Sequence, residues 1–192
     1  MKITFKLRFH EGAAVRLLNQ LAREDALILR DEPALPLLYD SLVVYRAEEE
    51  ETWCDVINTL LQGHEDCDAL AAYRVGEILA RGVGALRPGD PGFALARRLR
   101  LPRNKRLRAE AFARTHMPRG RPGLYHCLAV YWIAGQEFID DPSARLGMRG
   151  GVIDPYVLAR WKRVQNPEAI RELATRADAS TAPPPRPPRR AA

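Results

Sequence analysis

The chain has 192 residues, of which 46% are hydrophobic, enough for one domain with a core of its own. No apolar run approaches the roughly 20 residues of a membrane helix, and the N-terminal MKITFKLRF alternates where a signal peptide would be continuously apolar, so we expect a soluble cytoplasmic protein without membrane contact. The net charge is +6, and three cysteines (Cys54, Cys67, Cys127) without repeated spacing argue against a disulfide framework or a CxxC zinc site.

The first 36 residues are predicted to form an N-terminal strand and helix. Residues 2–9 alternate apolar and polar side chains, which predicts a half-buried strand. Residues 13–30 carry apolar side chains at approximately helical spacing, until the stretch from Asp31 to Pro36 breaks the pattern.

Two helices are predicted next, at the start of a core that we place at residues 37–150. The acidic run at 48–51 precedes a helix over 53–61, which Gly63 ends. Apolar positions then recur at helical spacing from Cys67 to Ile78 and predict a second helix to about Ala80. Cys67 therefore lies in the first turn of a helix.

The rest of the core is predicted to be β-rich. Residues 106–114, 124–132 and 137–141 are predicted strands, and Ala134-Gly135 is a two-residue hairpin turn between the last two. Residues 151–179 are predicted to form a helical extension. The low-complexity segment 180–192, TAPPPRPPRRAA with its preceding serine, is predicted to be a disordered basic tail.

Cys67 is the candidate nucleophile. The partial positive charge at a helix N-terminus lowers a thiol pKa and raises the fraction of reactive thiolate. The neighbouring carboxylates Glu65, Asp66 and Asp68 act in the opposite direction, so a histidine has to supply positive charge.

His126 is the preferred partner among four histidines. His10 ends the first predicted strand, and His64 and His116 lie in predicted loops. His126 shares one face of its strand with Leu128, Val130 and Trp132, and we expect that face to point at the helix of Cys67. Cys127 would then point to the opposite face, away from any metal ion shared with Cys67, and no metal site or cofactor is predicted.

The hairpin register selects the third candidate. If Ala134 and Gly135 are the turn, residue 128 is opposite Asp141, which places Asp141 on the histidine face and Asp140 on the other. A three-residue turn would exchange the two aspartates. A carboxylate there would fix the imidazole tautomer and stabilise the imidazolium.

These stretches resemble a known family. Gly63-His-Glu-Asp-Cys67-Asp-Ala-Leu-Ala, Tyr125-His126-Cys-Leu-Ala-Val-Tyr-Trp and Asp140-Asp141-Pro142-Ser143 are similar to the three motifs of transglutaminase-like domains, relatives of the papain-type cysteine proteases. The segments LYDSLVVYRAEEEETW and DDPSARLGM resemble members encoded by tailed phages and prophages. The usual Gly-Asp-Cys is interrupted here by His64 and Glu65.

The resemblance implies an α+β fold with a transglutaminase-like (papain-like) core, in which a catalytic helix packs on an antiparallel sheet. It implies Cys67 as nucleophile, His126 as general base and acid, and Asp141 as the group that orients it. Trp53 and Asp66 are expected to line the site and its oxyanion hole.

Two functions follow as expectations. The first is a thiol-dependent hydrolase or acyltransferase acting on an amide or peptide bond of a peptide or protein substrate, in the host cytoplasm or the virion if phage-encoded. The alternative is a non-catalytic phage assembly or virion protein that uses the same fold to dock on phage structural proteins. Ten basic residues against one acid in residues 97–121, with the basic tail, also suggest weak nucleic-acid contact.

Overall fold

Five α-helices and three small β-sheets form a mixed α+β fold in the residues that the structure, a computed structural model, describes: 11–47, 52–116, 124–149 and 152–153. The helices are α1 (Glu11–Asp31), α2 (Val56–Gln62), α3 (Cys67–Arg81), α4 (Phe93–Arg98) and α5 (Pro142–Arg145), with a 3₁₀ turn at Gly82–Ala85. The strands are β1 (Val44–Tyr45), β2 (His64–Glu65), β3 (Arg108–His116), β4 (Leu124–Ile133), β5 (Gln136–Asp140), β6 (Met148–Arg149) and β7 (Val152–Ile153). The predicted strand at 2–9, the acidic run at 48–51 and the tail lie outside the described residues, and of the predicted helical extension at 151–179 only residues 152–153 are described, which form β7.

Helix α3 is the centre of the fold, packed against α1 on one side and against the sheet of β3 and β4 on the other. Its predicted span is confirmed to within a residue. The crossing with α1 is close at Gly76, where a Cβ atom would lie 2.7 Å from Cβ of Asp25, so only glycine fits. Among the described residues, no helix is both long and apolar enough to cross a membrane.

Strands β3, β4 and β5 form an antiparallel sheet in that order, as predicted. Ala134 and Gly135 both have positive φ (51° and 82°), the type I′ turn whose twist suits a two-residue hairpin. The register pairs Ile133 with Gln136 and Ala129 with Asp140. The predicted hairpin is therefore confirmed, whereas β3 continues to His116, which the sequence had placed in a loop.

The face of β4 that packs on α3 is the opposite of the one predicted. Cys127 and Ala129 are buried in one cluster with Ala71 and Ala72 of α3, while Ile78 of α3 meets the next residues of the same face. The expectation that the face of Leu128, Val130 and Trp132 packs on α3 was wrong, although the imidazole of His126 does hydrogen-bond to Cys67 at the start of that helix. Small side chains on both elements explain the choice, because they let the helix lie close to the strand.

Helix α2 and strand β2 lead directly into α3. The helix begins at Val56, three residues later than predicted, because the Asp55 side chain accepts a hydrogen bond from the Asn58 N–H and caps it. Gly63 ends it in the left-handed conformation. The predicted polar loop that follows contains β2, which pairs in parallel with β1 and fixes the approach to Cys67.

Candidate active site

Cys67 is the first residue of α3, and local hydrogen bonds fix its position. Asp66 is the N-cap, and its carboxylate accepts a hydrogen bond from the Asp68 N–H at 3.2 Å. The carboxylate of Asp68 accepts in turn from the Ala69 N–H at 2.7 Å. Asp66 and Asp68, whose negative charges disfavour a thiolate, therefore both accept hydrogen bonds from backbone N–H groups. The half-buried sulfur of Cys67 lies at the positive end of the helix.

His126 and Asp141 form the second part of the site. His126 Nε2 lies 2.8 Å from Oδ2 of Asp141, and the imidazole retains 18% side-chain exposure. Asp141 directly follows β5 and caps α5, because its other carboxylate oxygen accepts from the Ala144 N–H at 3.0 Å. One carboxylate therefore orients both the imidazole and a short helix.

The neighbouring Asp140 has a separate role. It pairs with Ala129 in the ladder, is 1% exposed, and binds Arg74, whose Nε lies 2.8 Å from Oδ2 of Asp140. Of the two aspartates that the sequence left open, it is Asp141 that contacts the histidine.

Cys127 belongs to the site, contrary to the expectation that it would point away from Cys67. Strand β5 ends opposite Ala129, so the edge of β4 beyond that point has no strand partner in the hairpin. In a two-residue hairpin the hydrogen-bonding pairs recur at every second residue from the turn, which directs the backbone of Cys127 to this open edge. Both the thiol and the backbone N–H of Cys127 hydrogen-bond to the sulfur of Cys67.

These contacts shift the pKa values of the Cys67 and Cys127 thiols in opposite directions. The hydrogen bond with the Cys127 thiol, opposed by burial and reinforced by hydrogen bonds with His126 and the Cys127 N–H, lowers the pKa of Cys67 to about 5. The same hydrogen bond, with burial and the adjacent negative charge, raises the pKa of Cys127 far above its ordinary value. At neutral pH Cys67 is the thiolate and Cys127 the thiol.

The imidazole of His126 is also charged at neutral pH. Hydrogen bonds with Asp141 and Cys67, against the effect of burial, raise the pKa of His126 to about 9. Although burial works against it, the hydrogen bonds from His126 and Ala144 hold the pKa of Asp141 below its ordinary value. The lowered pKa of Cys67 and the raised pKa of His126 together favour a thiolate–imidazolium pair at neutral pH.

Tyr45 is a second residue that the sequence did not indicate. Burial and the negative charges of Cys67, Asp66 and Asp68 raise its pKa to about 12, so its hydroxyl stays protonated close to the thiolate. The pairing of β1 with β2 brings it there, opposite Glu65. No local pattern in the sequence reveals a parallel pairing of two-residue strands.

The two expected site-lining residues are Trp53 and Asp66. Trp53 is half-buried and packs against the same core cluster as Cys67. Asp66 adjoins Cys67 as the helix cap. Their predicted roles at an oxyanion hole stay predictions. In the described part of the chain, no three His, Cys, Asp or Glu side chains are grouped to hold a metal ion.

Beneath the site, a buried ion network anchors the end of β5. The guanidinium of Arg74, which is 0% exposed, binds three carboxylates: Glu77 at 2.9 Å, Asp90 at 2.7 Å and Asp140 at 2.8 Å. Arg145 of α5 adds a contact of 2.5 Å to Asp90. Because the network holds Asp140, it also fixes the adjacent Asp141 that orients His126.

Comparisons with known proteins gave no assignment. A scan against protein-family models found no match, and searches of curated proteins and of solved structures found none either. What the site can do is therefore inferred from its own geometry.

Proposed function

We propose that this chain is a thiol-dependent hydrolase or acyltransferase that attacks an amide or peptide bond through Cys67, His126 and Asp141. The observation that carries the proposal is a single imidazole, bound by a carboxylate at 2.8 Å through Nε2 and hydrogen-bonded to a helix-start thiol. A thiol at a helix start, a histidine on a strand and a carboxylate after the next strand is also the arrangement of a transglutaminase-like (papain-like) core, which we propose for the fold.

The first half of the reaction forms an acyl-enzyme. The Cys67 thiolate attacks the carbonyl carbon, and the resulting oxyanion is stabilised by backbone N–H groups, with that of Cys67 as one donor and Trp53 beside it. His126 then transfers its Nδ1 proton to the leaving amine, and the C–N bond breaks. Asp141 stabilises the imidazolium until that proton leaves.

The second half releases the acyl group. Neutral His126 takes a proton from the incoming nucleophile, which attacks the thioester and expels the Cys67 thiolate. Water as nucleophile gives hydrolysis, and a substrate amine gives transfer. We favour hydrolysis, because it requires no second substrate site.

Acylation by an activated ester tests the nucleophile without a known substrate. We expect p-nitrophenyl acetate to release one equivalent of nitrophenolate per chain in a burst at pH 7 and to leave an acetyl group on Cys67, detected by peptide mass spectrometry. Cys67→Ser should abolish the burst, with a loss of at least about 10³-fold in its rate.

Cys54 provides the matched control in the same chain. It is half-buried, as Cys67 is, and accepts a hydrogen bond from the Gln62 amide at 3.0 Å. Cys54→Ser should keep the full burst. Acetylation spread equally over Cys54 and Cys67, or a burst that survives in Cys67→Ser, would refute the proposed mechanism.

A second candidate function, docking without catalysis, is favoured by a different feature. We define the basic surface as seven exposed cations on α4, the loop after it and the first residue of β3: Arg97, Arg98, Arg100, Arg103, Lys105, Arg106 and Arg108. No acidic residue occurs between Asp90 and Glu110. Within the described residues, the pair of Arg108 with Glu110 at 3.4 Å is the only ion pair that these cations make.

The loop that presents this surface is held in place by its backbone. The carbonyl oxygens of Arg103 and Lys105 accept hydrogen bonds from the N–H groups of Gly84 (2.7 Å) and Val83 (3.0 Å). At Gly82 a Cβ atom would lie 2.0 Å from the Lys105 oxygen, so glycine is required for this approach. Because these hydrogen bonds already order the loop backbone, that backbone loses no further conformational entropy when the charges bind a partner.

We propose that the basic surface binds a nucleic-acid phosphate backbone, because six of its seven cations are arginines, whose planar fork suits phosphate oxygens. For a DNA duplex of about 20 base pairs, we expect log K against log salt to have a slope of about −3 or steeper, measured by fluorescence anisotropy. The variant Arg103→Gln/Arg106→Gln should reduce that slope by about 2.

The control variant Arg16→Gln/Arg23→Gln removes the same charge from exposed positions on α1. It should leave the slope within about 0.5 of the wild-type value. Equal losses in both variants would indicate only the effect of net charge. Stronger binding of a glutamate-rich peptide than of DNA would assign the surface to an acidic protein and contradict the proposal.

A further inference from the structure

The buried thiol of Cys127 lowers the pKa of Cys67 but forms no bond and transfers no proton in the proposed acyl-transfer steps. It is 6% exposed and lies in the core cluster against which Cys67 packs. Its side chain lies on the face of β4 that packs on α3, the helix that begins at Cys67. The two thiols are in contact, and only that of Cys67 is half-exposed, so an oxidant can reach Cys67 before Cys127.

We propose that Cys67 and Cys127 are a reversible oxidation site for hydroperoxides, with Cys67 as the residue that reacts and Cys127 as the residue that resolves the product into a disulfide. The proposal uses the same nucleophile as the proposed hydrolase but does not depend on amide cleavage.

The two steps balance with hydrogen peroxide as the oxidant. The Cys67 thiolate attacks one peroxide oxygen, so that an S–O bond forms, the O–O bond breaks and hydroxide leaves, which gives a sulfenic acid. The Cys127 sulfur then attacks the Cys67 sulfur, the S–O bond breaks, and the oxygen departs as water with the proton of the Cys127 thiol. The hydroxide takes up the proton that the Cys67 thiol had lost, so that two thiols and one peroxide become one disulfide and two waters.

The placement of the two sulfurs determines which is oxidised first. Only thiolates react readily with peroxide, and Cys67 is the thiolate of the pair, while Cys127 is protonated and shielded. Contact in the folded state gives the second step a high effective concentration, so it outpaces attack by another peroxide on the sulfenic acid. Cys127 should therefore protect Cys67 from irreversible oxidation.

The experiment is treatment of the full-length protein with dilute hydrogen peroxide, followed by non-reducing peptide mass spectrometry. We expect a cross-linked Cys67–Cys127 peptide with loss of two hydrogens, and recovery of free Cys67 after dithiothreitol. In Cys127→Ala and Cys127→Ser, Cys67 should instead gain two or three oxygens, at least about tenfold faster than in the wild type and beyond rescue by dithiothreitol. Two substitutions are used so that the result does not depend on how one of them packs.

Cys54→Ser is the control and should give the wild-type cross-link at the wild-type rate. Irreversible oxidation of Cys67 at equal rates in the wild type and both Cys127 variants would overturn the proposal, as would a cross-link through Cys54. Ester acylation separates this outcome from failure of the proposed function, because a chain can acetylate Cys67 without forming the disulfide, or form the disulfide without acetylation.

Discussion

In a His126→Ala variant, we expect the pKa of Cys67 to rise from about 5 to about 7 or higher. Removal of the imidazolium takes away a hydrogen bond and a positive charge beside the sulfur, while the Cys127 contacts and the helix N-terminus remain. At pH 6 the thiolate fraction then falls from about nine-tenths to about one-tenth, and alkylation by iodoacetamide should slow by about tenfold.

The pH profile carries more information than a single rate. A thiolate with a higher pKa is intrinsically the better nucleophile, so above pH ~8 the His126→Ala variant should label as fast as the wild type or faster. Peptide mass spectrometry reports Cys54 at the same time, and its rate should not change. A uniform increase at all three cysteines would show unfolding instead.

Asp141→Asn is the matched second variant. Asparagine keeps an oxygen that can cap α5 through the Ala144 N–H but removes the negative charge from His126. The pKa of His126, followed by NMR of the imidazole protons, should fall from about 9 towards its ordinary value of about 6.5. If the pKa of Cys67 were unchanged in both variants, His126 would not be its partner and the proposed triad would fail.

The local pattern predicted the secondary structure that carries the site. Helical spacing from Cys67 to Ile78 was sufficient for α3, because that stretch has no glycine or proline until its last turns. The turn Ala134-Gly135 was sufficient to predict the register of β4 and β5, because a two-residue turn allows only one register between the strands that it joins. That register favoured Asp141 over Asp140, on the condition that the turn has two residues.

The contact face of β4 was mispredicted because both faces of this strand are apolar. Apolarity indicated Leu128, Val130 and Trp132, whereas the packing depends on size: Ala71 and Ala72 of α3 need small partners, and Cys127 with Ala129 provide them. The alternation of small and large residues along β4 was present in the sequence as a signal. Because the wrong face of β4 was predicted to contact α3, the contact of Cys127 with Cys67 was not predicted.

Arg74 shows a different limit. Its position in the apolar stripe of α3 was visible, and an arginine there implies buried carboxylates. Which carboxylates these are depends on Asp90 and Asp140, 16 and 66 residues further along the chain, brought together by the tertiary fold. Sequence periodicity carries no information on such distant pairs.

Replacement of Arg74 by methionine should lower the free energy of unfolding at pH 8 by about 3–5 kcal/mol. Methionine approximates the volume of the stem but removes the cation from Glu77 and leaves the buried Asp90 and Asp140 with the partly exposed Arg145 alone. Urea denaturation followed by circular dichroism measures the change.

Arg87→Met is the control for ion-pair chemistry at the surface. Arg87 binds Asp40 at 2.6 Å with 32% and 45% of the two side chains exposed, so its loss should cost about 1 kcal/mol or less. Equal costs for Arg74→Met and Arg87→Met would mean that the network contributes no more than a surface pair.

The pH dependence identifies the cause of the loss. Burial, against the attraction of Arg74, raises the pKa of Glu77 to about 7 even with the guanidinium present. A raised carboxyl pKa means that the folded state binds protons more tightly than the unfolded one, so stability falls as pH rises from about 4 through about 7. Without Arg74 the pKa of Glu77 should rise further, and the deficit of Arg74→Met should widen between pH 5 and pH 8. Because Asp140 belongs to the same network, we expect the variant to slow ester acylation of Cys67 as well, through a misplaced Asp141, whereas Arg87→Met should not.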